Sequence, residues 1–215
     1  MPQLFPRSAN TVARVCVVSF PIALLLVAWS TYTVWLSPYM TRVDVPLQQP
    51  VPFSHRHHAG DLGIDCRYCH ASVETSAFAG MPPTETCMTC HSQIWRDAPM
   101  LEPVRASLRE HKPLQWTRVN DLPDFVYFDH SIHINRGIDC TVCHGPINQM
   151  PITWRGHTLY MKWCLECHRD PDNHIRLTAP PAWPSRAINP ERPGVVAAKQ
   201  THDPEQLTDC SICHR

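Results

Sequence analysis

The stretch Gly63-Ile64-Asp65-Cys66-Arg67-Tyr68-Cys69-His70 sets two cysteines three positions apart and places a histidine directly after the second. The same spacing recurs in Cys87-Met88-Thr89-Cys90-His91, Cys140-Thr141-Val142-Cys143-His144, Cys164-Leu165-Glu166-Cys167-His168 and Cys210-Ser211-Ile212-Cys213-His214. These five copies take up ten of the 11 cysteines. Two thiols at this separation match the two vinyl groups of one heme, and the adjoining imidazole then reaches the iron from one face. The motifs predict five hemes c, attached through Cys66, Cys69, Cys87, Cys90, Cys140, Cys143, Cys164, Cys167, Cys210 and Cys213. Their proximal ligands are His70, His91, His144, His168 and His214. A zinc ribbon also pairs cysteines, but nothing in zinc chemistry requires a histidine after every pair. A disulfide framework does not favour repeated CxxC pairs.

Outward from these motifs the chain repeats itself over residues 53–91 and 128–168. Phe53-Ser54-His55-Arg56-His57-His58 corresponds to Phe128-Asp129-His130-Ser131-Ile132-His133, and each leads into Gly-Ile-Asp-Cys and then a second CxxCH. The offset is 75 residues at the histidine, 74 at the first motif and 77 at the second, as expected of a duplication. Histidines at i and i+3 are neighbours on one short helix, yet can turn toward two different sites. His55, His58, His130 and His133 are thus candidate distal ligands for four irons. An FxHxxH string ahead of CxxCH resembles the class III multiheme cytochromes c, which implies short helices, long loops, little sheet and closely packed hemes.

The fifth motif stands apart, behind a Pro-rich stretch from Ala179 to Pro193 that reads as an extended linker. Its sixth ligand is sought among His57, His111, His157, His174, His202, Met150 and Met161, with His202 and Met161 leading. A methionine there raises the potential relative to histidine.

Residues 15–36 carry no charge, and 22 residues of helix span roughly 33 Å, enough for a hydrocarbon core of about 30 Å. Arg7 and Arg14 precede this run, while Trp29, Tyr32, Trp35 and Tyr39 gather at its far end as an interfacial belt. The positive-inside bias leaves residues 1–14 in the cytoplasm and the rest of the chain outside, as a single-pass protein of a bacterial inner membrane. A cleaved signal peptide is the competing reading, but the apolar run continues past the poor Ala28-Trp29-Ser30 cleavage site. Cys16, the one cysteine outside the motifs, reads as a small packing residue. The expected organisation is an anchor at 15–36, a linker at 37–52, di-heme modules at 53–110 and 111–177, and the linker with the fifth motif at 178–215.

Composition agrees with this plan. Lys+Arg equals Asp+Glu at 19 each, which argues against nucleic acid and against a polybasic membrane patch. About 35 residues outside the anchor serve each heme, too few for a conventional core, so porphyrins are expected to supply the apolar interior. Trp95, Trp116, Trp154, Trp163 and Trp183 are expected to pack on them.

The anchor, the two paired modules and the fifth motif together resemble the pentaheme subunit of alternative complex III. Phe53–His58, Gly63–His70, Cys87–Trp95 and Asp121-Leu-Pro-Asp-Phe-Val-Tyr-Phe128 carry the likeness. The resemblance implies a respiratory or photosynthetic complex that oxidises quinol and delivers electrons outside the cytoplasmic membrane. Its implied partners are an iron–sulfur subunit, polytopic quinol-binding membrane subunits and a monoheme cytochrome subunit. The implied acceptors are a soluble cytochrome c, a blue copper protein or a terminal oxidase. Filled distal positions favour a non-catalytic electron carrier. The alternatives are a quinol dehydrogenase of the NapC/NrfH type, which generally carries four hemes, and a multiheme reductase, which needs one five-coordinate heme.

Overall fold

The computed structural model describes residues 5–171 and 203–214. Two compact units divide at residue 42. The first holds helix α1 (Ala9–Leu36) and a short turn α2 (Pro38–Thr41). At 1.5 Å per residue, α1 is about 42 Å long. It starts six residues before the predicted span, because helix geometry continues through the polar lead-in after the span's hydropathy has ended. Its apolar side chains are exposed along the whole length, and its most apolar window has a mean hydropathy of 2.2. It is the one helix among the described residues long and apolar enough to cross a membrane.

The second unit is a succession of short helices joined by loops: α3 (Cys66–Cys69), α4 (Thr84–His91), α5 (Glu102–Glu110), α6 (His130–Asn135), α7 (Cys140–His144), α8 (Met161–Arg169), α9 (Pro204–Leu207) and α10 (Cys210–Cys213). A π-helical turn covers Arg56–Asp61, and 3-10 turns cover Pro99–Leu101 and Ile147–Gln149. Sheet is limited, among the described residues, to one isolated parallel bridge between Val43 and Arg155. Short helices, long loops and almost no sheet are what the motif reading predicts.

Every motif occupies a helix, by two local designs. In motifs one, three and five an aspartate immediately before the first cysteine caps a helix of about one turn. Asp65 accepts from Arg67 N, Asp139 from Thr141 N and Asp209 from Ser211 N, each at 2.8 Å. A carboxylate there satisfies an orphan N–H and faces the positive helix end. Motifs two and four instead close longer helices, α4 and α8, that begin after Pro83 and Tyr160.

The buried apolar side chains among the described residues are Val51, Val73, Leu101, Val104 and Met150. Val51, Leu101 and Val104 form one cluster, bordered by Cys87, Met88, Ala98, Leu114 and Trp116. It seats α5 against α4, where the Thr84 and Ser107 hydroxyls bond at 2.7 Å. Five buried residues are far fewer than an ordinary core of this length requires.

The two sequence repeats fold alike with one local difference. From the second distal histidine to the next cysteine there are eight positions in the first copy and seven in the second. The second copy holds this segment as the α-helix α6; the first takes up its extra residue as the π turn, with Leu62 N bonding His57 O at 3.0 Å. A single insertion in a helix is absorbed in this way. Gly63 and Gly137 end the two segments at φ 76° and 82°, a left-handed conformation that favours glycine.

Candidate heme-binding centre

The FxHxxH segments place their histidines with the same geometry twice. Phe53 stacks on His58 (4.5 Å, 21°) and meets His55 edge-on (4.9 Å, 87°). Phe128 does the same to His133 (4.6 Å, 26°) and His130 (4.8 Å, 88°). One aromatic ring thus sets the orientation of two imidazoles, and the edge-on geometry is what the ring quadrupole favours.

Three of the four distal candidates face the histidine of a CxxCH motif. The ring centroids of His58 and His91 are 6.1 Å apart, those of His130 and His144 6.3 Å, and those of His133 and His168 6.1 Å. Two imidazole nitrogens, each about 2.0–2.1 Å from a metal between them, put their centroids about 6.4 Å apart. The three pairs stand at that spacing. Of the three histidines that act on the charge of His55, His70 acts most strongly. In both copies the second histidine of FxHxxH faces the second CxxCH, and in the second copy the first histidine faces the first.

The other ring nitrogens are held. Nδ1 of His70, His91, His168 and His214 donates to the carbonyls of Gly80 (2.7 Å), Ile94 (3.0 Å), Leu207 (2.8 Å) and Phe125 (3.1 Å). Nδ1 of His58, His130 and His133 donates to the carbonyls of Ser54 (2.9 Å), Ala77 (2.8 Å) and Asp129 (2.7 Å). A proton fixed on Nδ1 leaves the Nε2 lone pair free for a metal, the tautomer an axial ligand needs. Two rings meet side chains instead: His55 Nδ1 lies 2.9 Å from the Thr153 hydroxyl, and His144 Nδ1 lies 3.0 Å from Asn120 Nδ2. Asn120 Oδ1 is buried without a partner. Turning that amide by 180° brings Oδ1 to the imidazole, where it accepts the proton an iron-bound His144 carries on Nδ1. The orphaned oxygen and the ring spacing both fit a heme.

Burial favours the neutral form of four of these rings, His55, His58, His133 and His144. It brings His55 and His144 down to about 4, helped at His55 by His70 and at His144 by His130. Burial also lowers His58 and His133. A neutral imidazole is the metal-binding form.

The candidates for the fifth sixth-ligand separate by placement. Met150 is fully buried, with its methyl against Gly145. His57 stacks on Trp95 and pairs with Asp61 at 3.9 Å, His157 stacks on Trp163 (5.2 Å, 22°), and His111 caps α5 in the left-handed conformation. Met161 is 61% exposed at the start of α8. His174, His202 and Trp183 lie outside the described residues. Trp116 borders the apolar cluster and meets Phe53 edge-on at 6.4 Å.

Sequence reading missed Phe53 and Phe128 as supports, Asn120 and Thr153 as imidazole partners, and Asp209 as a cap. Two of these signals were present in the chain: the phenylalanine at a fixed place in both FxHxxH strings, and the aspartate before the first cysteine of motifs one, three and five. Asn120 and Thr153 have no such pattern.

Residues 126–215 match the family described as cytochrome c7 and related cytochrome c, and residues 37–106 match the class III cytochrome C family. The multiheme cytochrome c subunit of menaquinone reductase from Nitratidesulfovibrio vulgaris (strain Hildenborough) is 29% identical over 152 residues, 61% of this chain and 72% of the relative. Covalently bound heme c is the cofactor of such families, and the cysteine pairs are consistent with it. Residues 37–106 and 126–215 are therefore multiheme cytochrome c domains, helical and of the class III kind, and the N-terminal helix is apolar and long enough to span a membrane.

Proposed function

We propose that this chain carries electrons, through five hemes c, between a quinone-linked membrane complex and a partner on the outer side of the cytoplasmic membrane. Heme c supplies a one-electron ferric/ferrous couple when bound. The observation that carries the reading is the facing of His58 with His91, His130 with His144, and His133 with His168 at 6.1–6.3 Å. These three pairs, and His55 together with His70 of the first motif, would each hold an iron between two imidazoles. An iron so held has no open position for a substrate, so these residues serve transfer and not chemistry on a bound molecule.

For the fifth iron, Met161 is the leading candidate that lies among the described residues. Met161 precedes Cys164 by three residues on α8, on the same helix face, and the Cys164 thiol neighbours Cys213 of the fifth motif. The other residues have supporting roles: phenylalanines orient, carbonyls hold the tautomer, and aspartates start the motif helices.

The likeness to the pentaheme subunit of alternative complex III supports quinol as the electron source, with an iron–sulfur subunit and polytopic membrane subunits as neighbours. A second reading, in which electrons flow toward quinone, is favoured by the relative named as a menaquinone reductase subunit. Purification from the native membrane decides. Pyridine hemochrome analysis is expected to give five hemes per chain, and the oxidised protein is expected to be low-spin and unreactive to carbon monoxide. A high-spin heme that binds carbon monoxide would overturn the carrier reading. Heme reduction by menaquinol in the complex supports the first direction; menaquinone reduction by the prereduced complex supports the second. Quinol oxidation by the isolated chain would instead make it a quinol dehydrogenase in its own right.

A further inference from the structure

The two copies grip one another reciprocally. In the first, His55 reaches Thr153, Arg56 N donates to Met150 O at 3.0 Å, and Gly60 lies against the Asn148 carbonyl. In the second, His130 reaches Ala77 O, Ser131 N donates to Ser76 O at 3.2 Å, and the Asn135 amide donates to Glu74 O at 3.0 Å. Each distal segment rests on the loop that follows the other copy's first motif. That exchange brings the two first motifs together: the side chains of Cys66 and Cys140 lie beside one another, and His70 lies near His144.

The remaining motifs extend outward from this junction. The Tyr68 and Thr89 hydroxyls bond at 2.9 Å, and Cys69 lies near enough to Cys87 and Cys90 to feel both, so motif one adjoins motif two. His130 and His133 share α6 and face His144 and His168, and Cys143 lies near Cys167 and Cys164, so motif three adjoins motif four. His168 donates to Leu207 O at 2.8 Å, and Cys164 neighbours Cys213, so motif four adjoins motif five. Tyr127 N donates to Cys213 O at 2.8 Å, and His214 donates to Phe125 O. These bonds tie motif five to the strand of chain entering the second FxHxxH. Among the described residues no hydrogen bond joins motif two to motif four or five.

We propose that the heme sites form a single file in the order two, one, three, four, five, with Cys87–His91 at one end and Cys210–His214 at the other. The order departs from the order along the chain, since the duplicated modules meet through their first motifs. The inference rests on the reading of all five motifs as heme sites, and it is independent of the direction of flow. The quinol/quinone couple on one side exchanges two electrons and two protons as its two O–H bonds break or form; the electrons cross the file one at a time, to or from two equivalents of a one-electron carrier, and within the file only electrons move. The two ends are the places where donor and acceptor must approach, because electron tunnelling needs close contact with the first and last sites.

The test uses the heme-loaded full chain and EPR-monitored redox titration. Replacing Cys210 and Cys213 with Ala removes the fifth site. In a background where His133→Met marks the fourth site, that removal is expected to shift the midpoint of the marked heme, which has lost a charged neighbour. In a His58→Met background, which marks the second site, the same removal is expected to leave the marked midpoint unchanged. A shift at the second site, or none at the fourth, overturns the order. Cryo-EM of the unmodified chain in its native membrane complex gives the order without any variant. Five hemes in another order overturn the file alone, whereas fewer than five overturn both the file and the reading it rests on.

Discussion

Asn120 and Thr153 are the two side chains that meet axial-candidate imidazoles through Nδ1, where the other seven rings meet backbone carbonyls. A backbone carbonyl is present whatever the residue, so these two positions are where substitution retunes an iron most directly. Asn120→Asp sets an anion against the His144 N–H and enriches that ring in electrons. The expected outcome is a lower midpoint for the third-site heme, read by EPR-monitored titration, with five hemes still attached. His133→Ala is expected to convert one low-spin heme to high-spin while pyridine hemochrome still counts five. An unchanged EPR spectrum would remove His133 from the ligand set. Phe128→Ala withdraws the ring shared by His130 and His133. Each aromatic contact is worth about 0.5–1.5 kcal/mol. The variant is expected to broaden the low-spin signals of both sites and to lower the thermal midpoint.

At the scale of elements, three motif helices depend on an aspartate and two on a longer helical run. An N-terminal cap is worth about 0.5–2 kcal/mol, and α7 has only five residues through which to spread its loss. Asp139→Ala is expected to lower stability by about 1 kcal/mol, which thermal unfolding reads as a fall of about 2–4 °C. The corresponding change at Glu85, in the first turn of α4, removes no side-chain cap and is expected to cost less. The contrast between the two variants isolates the cap. The π turn at Arg56–Asp61 makes the complementary point: one inserted residue changed the hydrogen-bond pattern of a helix and left His58 facing His91.

At the scale of the whole heme-binding unit, the reciprocal grip of the two copies places the sites. Gly60 stands where a Cβ would run into the Asn148 carbonyl, and main chain cannot yield as a flexible side chain does. Gly60→Ala is expected to destabilise the unit by about 1–3 kcal/mol, measured by chemical denaturation. It is also expected to perturb the second- and third-site hemes, whose candidate ligands His58 and His144 are close in sequence to Gly60 and Asn148, before the fifth. Equal perturbation of all five in a titration would argue that the grip has no part in setting the order.

The five CxxCH motifs, the two FxHxxH strings, the apolar helix and the duplication were all legible in the chain, because each is a matter of spacing between residues near one another. Covalent attachment needs two thiols and an imidazole within five positions, and a membrane span needs an unbroken apolar run; neither waits on tertiary folding. Which distal histidine faces which motif, what holds each imidazole, and which motifs adjoin were decided only by the fold. Those relations join residues such as His55 and Thr153, or Cys66 and Cys140, that lie tens of positions apart. No local pattern encodes such pairs. They come from the way two copies of one module close on each other, where each loop supplies the polar partners the other copy's histidines require.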